Sequence, residues 1–367
     1  MNSPPQHQGA NATDPSTIAT PVTTPTKPTT NAYHAGFEQH LIDHEVHPPT
    51  FASQGPEWAE IMEALDRRRP SLSPSLFSST NFDTFRARNF AAKNEAAVLR
   101  AVIPTITGPI EADPLCLPNA QFAKLKPLTD GTIVPAKPDF YYGADPKDLD
   151  RSIRDELAGD IIPSAWEDRP MVPNFFLEVK GPKGTSGVAT LQACYDGALG
   201  SRAMHSLQNY NQEQPRYDGK PYTFSSTYEC GCLNIFAHSI TKPTTAQGRP
   251  QYHMNLVASW SLIGTLDNFC RGVSAFRNVR DLAKDYRDRF ILEANAKRFQ
   301  AHEHDLSAPP VSGDPASCIP LPDADDGQPQ QHVDEGEGTS QSPVLPGDDP
   351  SLSFFPCSPS SPTPSSF

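Results

Sequence analysis

The sequence predicts an α/β domain in which a central mixed β-sheet is flanked by helices, with long disordered tails on both sides. Between residues 81 and 302 the predicted elements follow the order helix, strands, helix, strands and helix, which is typical of such a domain. Proline, serine, threonine and acidic residues dominate the flanking regions, which are too poor in apolar residues to offset the entropy of ordering. We therefore assign residues 1–80 and 303–367 to tails and residues 81–302 to the folded domain.

The net charge of −13 resides in these tails. Residues 1–80 carry −4, residues 81–302 carry +2 and residues 303–367 carry −11. Because the folded block is nearly neutral, its charge neither requires nor excludes a nucleic-acid partner. Seven irregularly spaced cysteines favour reduced thiols, and the sequence contains neither a signal-peptide pattern nor a membrane-length apolar run. We expect an intracellular protein, nuclear or cytoplasmic, that is neither secreted nor inserted into a membrane.

The first helix is predicted at residues 84–103, with Pro104 as its stop signal. Apolar residues recur at helical spacing around Glu95, which places this carboxylate within the apolar stripe. A small rotation of the helix would instead place Glu95 at the edge of the stripe. A loop is expected to follow at residues 104–128.

Strands are predicted on both sides of a polar insertion. Residues 128–143 indicate two short strands, with Asp139 opening the second directly after Pro138. Residues 143–173 are punctuated by proline and include a possible short helix at 147–158. In the run NFFLEVK at residues 174–180, apolar side chains alternate with a partly charged face that carries Glu178 and Lys180.

The remaining elements are a helix, two strand regions and a final long helix. The turn GPKGTSG leads into a helix at about residues 187–210, where Gln192 and Tyr195 share a face. Residues 222–240 and 252–261 are rich in β-branched and aromatic side chains and predict strands. The final helix is predicted at residues 265–301.

Asp139, Glu178 and Lys180 together suit the hydrolysis of a phosphodiester. Two carboxylates can hold Mg²⁺, a hard cation that prefers oxygen ligands and helps to generate hydroxide from bound water. The i, i+2 spacing places Glu178 and Lys180 on one face of a strand, where the ammonium group can stabilise developing negative charge. The carbonyl oxygen of Val179 is a further candidate ligand. The alternative for Glu178 and Lys180 is an ion pair at a sheet edge.

These residues resemble the motif of the PD-(D/E)XK nuclease superfamily. Pro138 and Asp139 match its first part, and the Glu178–Lys180 run at a strand end matches its second part. Glu95 on the preceding helix and Gln192 on the following helix extend the resemblance, which covers about residues 85–300. More narrowly, the chain resembles fungal proteins that carry such a nuclease-like domain between disordered tails.

The resemblance implies a restriction-endonuclease-like core and a metal-dependent nuclease that uses Mg²⁺ or Mn²⁺. It implies Asp139 and Glu178 as metal ligands, and Lys180 as the catalytic lysine. It further implies Glu95 as an auxiliary acidic residue at the metal and Gln192 as a helper near the phosphate or metal. The expected partner is nucleic acid, with DNA favoured over RNA, whereas protein partners of the tails stay open.

One departure concerns the helix after the lysine strand. Several branches of the superfamily carry Q-x-x-x-Y there, whereas in this chain Tyr195 lies three residues and Asp196 four residues after Gln192. The role of Tyr195 is therefore left open.

Two other functions remain as alternatives. A catalytically inactive descendant would use the same fold to bind nucleic acid or protein, and a scaffold would act through its tails. Separately, His34, His40, His44 and His47 form a loose tract that either binds a transition metal or is a solvated segment.

Overall fold

The computed structural model describes residues 30–50, 58–108, 114–166 and 168–307. These residues form a seven-stranded mixed sheet covered by helices, so the predicted α/β class with a central mixed sheet is confirmed. Of the tail predicted at residues 303–367, residues 308–367 lie outside the described residues. Residues 1–29 of the other predicted tail also lie outside them. Within the described ranges, every helix is too short or too polar to cross a lipid bilayer.

The described strands are β1 (Val46–Thr50), β2 (Cys116–Pro118), β3 (Phe140–Ala144), β4 (Met171–Lys180), β5 (Thr223–Glu229), β6 (Cys232–Thr241) and β7 (Gln251–Ser261). The described helices are α1 (Phe37–Ile42), α2 (Ala59–Asp66), α3 (Ser79–Ala91), α4 (Glu95–Ala101), α5 (Ile103–Thr107), α6 (Arg151–Glu156), α7 (Ala158–Ile161), α8 (Ser186–Gln208) and α9 (Leu266–Ser307). Short 3₁₀ helices occur at Pro70–Leu72 and Pro146–Asp148.

The strand order in the sheet is β1-β7-β6-β5-β4-β3-β2. The pairs β1–β7 and β4–β5 are parallel, and the other neighbouring strands are antiparallel. Strand β4 lies between β3 and β5, and all ten of its residues are buried. A strand that is covered on both faces accommodates the long apolar run that precedes Glu178.

Strand β4 separates two apolar layers. Phe175, Leu177 and Val179 belong to the layer that also contains α9, whereas Phe176 belongs to the layer that contains α8. The alternation predicted at residues 174–180 is therefore confirmed. Both faces of the strand are covered, so Glu178 and Lys180 are buried rather than located at a solvated sheet edge.

The N-terminal boundary expected at residue 81 is wrong, because residues 30–50 and 58–80 contribute to the fold. Strand β1 adds to the sheet beside β7, and α2 packs against α9. The side chains of Leu41, Val46 and Ile61 are almost fully buried. Composition concealed this contribution, since proline and histidine surround these few anchoring apolar residues.

The helix predicted at residues 84–103 is divided into α3, α4 and α5. The backbone is extended at Ala92 and Asn94, and the Asn94 side chain accepts a hydrogen bond from the Ala97 N–H at 2.9 Å. This cap starts a new helix inside the predicted one. Pro104 occupies the first turn of α5, where its missing N–H costs nothing, so it is not a stop signal.

The segment between α5 and β4 also differs from the prediction. Strand β2 forms inside the expected loop at residues 104–128, and only the second of the two strands expected at 128–143 becomes a full strand, β3. The short helix expected at 147–158 is α6, preceded by a 3₁₀ turn. Later elements agree better: α8, β5, β6, β7 and α9 lie at the predicted places.

Candidate active site

The pairing of β3 with β4 brings two of the predicted site residues together. In this antiparallel ladder Phe140 lies opposite Leu177, so the preceding Asp139 lies beside Glu178. The backbone N–H of Val179 donates a hydrogen bond to Asp139 Oδ2 at 2.7 Å. The backbone of β4 thereby fixes the orientation of the Asp139 carboxylate.

Lys180 lies at the end of β4 between two carboxylates. Its Nζ atom is 3.5 Å from Glu178 Oε2 and 3.7 Å from Glu95 Oε2. It also donates a hydrogen bond to the carbonyl oxygen of Val179 at 3.0 Å. The lysine side chain is only 4% exposed, so its ammonium group is held in place rather than solvated.

Glu95 reaches this site by a different route from the one expected. It is the first residue of α4, and its side chain is 42% exposed, so it does not occupy the middle of an apolar stripe. Gly181 permits the approach of α4: a Cβ atom there would lie 2.5 Å from the Glu95 backbone nitrogen. The start of α4 therefore packs directly against the residue that follows Lys180.

Asp196 is a fourth carboxylate of the site, and the sequence pattern alone assigned it no role. It lies on α8, is 2% exposed, and is within hydrogen-bonding reach of the Glu178 carboxyl group. A signal for it was present, because Asp196 follows Gln192 by four residues and such residues share a helix face. In the Q-x-x-x-Y pattern described above, this position would carry tyrosine.

Burial governs the protonation of these carboxyl groups. It raises the pKa of Asp139 to about 6 and the pKa of Asp196 to about 7. Burial, together with the nearby Asp196 and Asp139, raises the pKa of Glu178 well above its ordinary range. Burial alone would lower the pKa of Lys180, but the surrounding carboxylates outweigh it and raise that pKa above the ordinary value.

Several polar atoms of the site make no hydrogen bond within the described ranges, although Lys180 Nζ forms an ion pair with Glu178 Oε2 at 3.5 Å. They are both carboxylate oxygens of Glu178, Asp196 Oδ2 and Gln192 Oε1. Glu178, Gln192 and Asp196 face a cavity of about 160 Å³, to which Tyr195 and Lys137 also contribute. Buried oxygen atoms without donors are costly, and a bound proton or cation would satisfy them.

The opposite wall of this cavity comes from a segment that was assigned to the N-terminal tail. Asn31, Ala32, Tyr33 and Phe37 line it, and Phe37 meets Tyr195 edge-on with ring centroids 6.4 Å apart. Tyr195 is therefore a wall residue with an aromatic contact. Burial raises the pKa of its hydroxyl group to about 12.

The oxygen-rich site fits a hard divalent cation in its chemistry. Asp139, Glu178 and Asp196 offer carboxylate oxygens, and the Val179 carbonyl keeps one lone pair beyond the bond from Lys180. These carboxylates do not converge tightly, however. Among the described residues, three ligand atoms lie within 4.8 Å of one another only at His40, His44 and Asp130. Mg²⁺ usually keeps several water ligands, so one or two carboxylates suffice to hold it.

Two arginines of the long final helix have partners within the fold. Arg277 donates to the carbonyl oxygens of Thr105 and Ile106 at 3.0 and 2.8 Å, and Arg280 donates to that of Thr107 at 2.8 Å. These carbonyls end α5, so both arginines cap a helix C-terminus. They fasten α5 to α9 and are engaged within the fold.

Neither protein-family models, nor curated proteins, nor solved structures match this chain.

Proposed function

We propose that this protein is a metal-dependent nuclease with a restriction-endonuclease-like core and a PD-(D/E)XK site. One observation supports this proposal above the others. Glu178 and Lys180 occupy the buried end of a central strand, and Asp139 and Asp196 adjoin Glu178 from two other elements. A buried group of carboxylates with one lysine is suited to binding a divalent cation and a phosphate together.

In this proposal each residue has a distinct task. Asp139 and Glu178 hold Mg²⁺ or Mn²⁺, with Asp196 and the Val179 carbonyl as neighbouring oxygen ligands. Glu95 is partly exposed and its Oε2 atom lies 3.7 Å from Lys180 Nζ, so its main task is to position the ammonium group. Gln192 faces the cavity, where its side-chain amide can contact a phosphate oxygen or a metal-bound water.

The metal, when bound, supplies Lewis acidity and lowers the pKa of a coordinated water. Lys180 is charged, buried and fixed by three partners, so it can stabilise negative charge on the scissile phosphate without reorganising. In the metal-free protein the raised pKa of Asp196 lets this carboxyl group exchange a proton near neutral pH. Hydrolysis adds the water oxygen to phosphorus, breaks one ester P–O bond and returns a proton to the leaving oxygen.

The substrate class is nucleic acid, with DNA as the leading candidate. Arg277 and Arg280 are engaged within the fold, so we do not assign them to phosphate binding. Access to Glu178 passes the cavity wall formed by residues 31–37. Because that wall leaves only a small cavity, we expect single-stranded or end-frayed substrates to react faster than intact duplex.

The test is cleavage of plasmid, single-stranded DNA and RNA by the full chain with Mg²⁺, Mn²⁺ or a chelator. Lys180→Ala should lower the rate by about 100-fold or more, because it removes a preorganised charge from the transition state. Asp139→Asn should abolish metal-stimulated cleavage. Lys242→Ala serves as the control, because Lys242 is an exposed lysine that is not one of the candidate site residues. Cleavage by Lys180→Ala at the rate of the control would refute the proposal.

A catalytically inactive binding module is the second candidate, and the cavity wall formed by Asn31, Ala32, Tyr33 and Phe37 beside Glu178 favours it, because it narrows the space for a substrate. Such a protein would bind nucleic acid or a protein partner through the same fold. It would show binding of labelled DNA by fluorescence anisotropy, no cleavage with either metal, and no metal-induced rise in melting temperature.

A scaffold that acts through its tails would instead lose its partners when residues 308–367 are deleted.

A further inference from the structure

Two histidines and an aspartate form a compact group away from the Glu178 site. His40 lies on α1, His44 follows the end of that helix, and Asp130 lies in the chain bend that precedes the cavity-lining residues 133–137. One ligand atom of each side chain lies within 4.8 Å of the ligand atoms of the other two. The group joins two chain segments that are 86 residues or more apart in sequence.

Hydrogen bonds already orient the members of this group. His44 Nδ1 lies 2.8 Å from the carbonyl oxygen of His40, and a carbonyl only accepts, so Nδ1 carries the proton and Nε2 keeps its lone pair. This arrangement, an imidazole that donates its second nitrogen to a backbone carbonyl, is the usual support of a metal-binding histidine. Asp130 Oδ1 accepts hydrogen bonds from Thr132 N and Oγ1 at 3.0 and 2.7 Å.

The imidazole ring of His40 lies beside Asp130 and His44. Its Nε2 atom is buried and has no hydrogen-bond partner, although Asp130 Oδ1 lies 3.2 Å away. The rings of His40 and His44 lie nearly parallel, with an interplanar angle of 23° and centroids 4.7 Å apart. One imidazole nitrogen of each histidine and one carboxylate oxygen of Asp130 thus lie within 4.8 Å of one another.

The geometry points to a binding site for a zinc-class transition metal ion at His40, His44 and Asp130. Imidazole nitrogen suits Zn²⁺, Co²⁺ and Ni²⁺, whereas Mg²⁺ prefers a site made entirely of oxygen. Three protein ligands leave a fourth position for water, as in other three-ligand zinc sites. The site differs in both place and ligand chemistry from the carboxylates around Glu178.

A metal here would fasten the wall of the candidate active site. Thr30 N donates to Thr132 O at 3.1 Å, and Val134 N donates to Thr30 O at 2.9 Å, so the segment before α1 already pairs with the chain after Asp130. The ion would add a second link between the same two segments. The Thr30 hydrogen bonds precede residues 31–37 in the sequence, and the metal-binding histidines follow them. Its binding would therefore stabilise the segment that lines the cavity beside Glu178.

The experiment titrates the full chain with Co²⁺ and Zn²⁺, following visible Co²⁺ absorption and the melting temperature. The wild type should bind one ion with nitrogen ligation and melt at a higher temperature. Loss of a residue that only supports a metal ligand typically weakens metal binding by roughly 10- to 100-fold. His44→Ala and His40→Ala each remove a ligand itself, so each should weaken metal binding by more than that. Asp130→Asn should weaken binding while its amide oxygen still accepts the Thr132 hydrogen bonds, so folding is kept.

Two control variants test whether the ion binds at these three residues. His34→Ala removes an exposed histidine of the same segment that lies outside the group, and it should bind as the wild type does. Glu178→Gln should also retain the cobalt spectrum, because the two sites share no ligand. The inference is overturned if the wild type shows no Co²⁺ absorption, or if Asp130→Asn and His44→Ala bind Zn²⁺ as tightly as His34→Ala.

Discussion

Glu178 and Asp196 place two buried carboxyl groups within hydrogen-bonding reach of each other. Burial of two ionised carboxylates is unfavourable unless a cation or a shared proton compensates them. Lys180 supplies one positive charge, but it also faces Glu95, so the group retains excess negative charge when all its members ionise. The residues that would serve catalysis therefore cost folding free energy in the absence of a metal ion.

Asp196→Asn tests this cost through its dependence on pH. The ordinary pKa of an aspartate is 3.8 and the folded value at Asp196 is about 7, so the folded protein binds the extra proton between these values. The Asp196 contribution to stability is thus present at low pH and is lost as pH rises through about 7. Without metal, Asp196→Asn should be more stable than the wild type at pH 8, by an amount on the order of a few kcal/mol, and this advantage should shrink toward pH 5.

Urea denaturation of both proteins across this pH range, in a chelating buffer, measures the difference in unfolding free energy. Asp218→Asn provides a comparison, because Asp218 accepts hydrogen bonds from Gln208 and Tyr222 and takes no part in the carboxylate group around Glu178. An Asp196→Asn profile parallel to that of the wild type would show that Asp196 is ionised and compensated in the metal-free protein.

At the residue scale, sequence patterns predicted the parts of the site that depend on local geometry. The i, i+2 spacing of Glu178 and Lys180 and the strand pattern around them required no knowledge of the rest of the fold. Asp196 was missed because its role arises from helix packing, which brings α8 over the end of β4. Glu95 was predicted at the site, but the Asn94 cap that turns it toward Lys180 was not foreseen.

At the element scale, α8 approaches the sheet through small residues. Gly197 faces His238 of β6, and a Cβ atom on this glycine would lie 2.1 Å from the imidazole ring. Ser225 Oγ and His238 Nε2 form a buried hydrogen bond of 2.7 Å, which holds the ring against the helix. Burial lowers the pKa of His238 to about 3, so the ring is neutral at physiological pH. This close packing also carries Asp196, the neighbour of Gly197, toward Glu178.

Gly197→Ala should therefore destabilise the fold, whereas alanine usually stabilises a helix relative to glycine. The added methyl group must displace His238 or move α8, at a cost of roughly 1 to 3 kcal/mol, which is typical of overpacking. Gly187→Ala is a matched control near the start of the same helix, since its Cβ atom would meet nothing within 4 Å. Urea denaturation should show Gly187→Ala to be neutral or slightly stabilising. Equal effects of the two substitutions would contradict the role given to Gly197.

The elements that the sequence predicted best are those with strong local patterns. Strand β4 has alternating apolar residues and ends at the GPKGTSG turn as expected, although it begins at Met171 rather than Asn174. Helix α8 follows the same turn and forms where expected. Strand β1 contains two prolines in the run VHPPT, which argues against a central strand but is compatible with the edge position that it takes beside β7. Its place depends on pairing with a strand about 200 residues later, which no local pattern encodes.

At the scale of the whole molecule, the N-terminal region contributes to both apolar layers. Phe37, Leu41 and Val46 join the layer that contains α8, whereas Ile61 and Leu65 join the layer that contains α9. Polar links accompany this packing: Asn278 donates to the Ala64 carbonyl at 2.8 Å, and Tyr286 donates to Glu60 at 2.7 Å. The smallest folded unit therefore extends well before the domain start expected from composition.

A chain limited to residues 81–302 should consequently fail to fold, whereas residues 30–307 should fold and melt cooperatively. The shorter chain lacks the five buried side chains of Phe37, Leu41, Val46, Ile61 and Leu65, each worth roughly 1.5 to 3 kcal/mol. Their combined loss is comparable to the about 5 to 15 kcal/mol that stabilises a typical domain. It also exposes the edge of β7 where β1 pairs. Circular dichroism melts and size-exclusion chromatography compare the two chains. A cooperative melt of residues 81–302 within a few degrees of the longer chain would restore the boundary at residue 81.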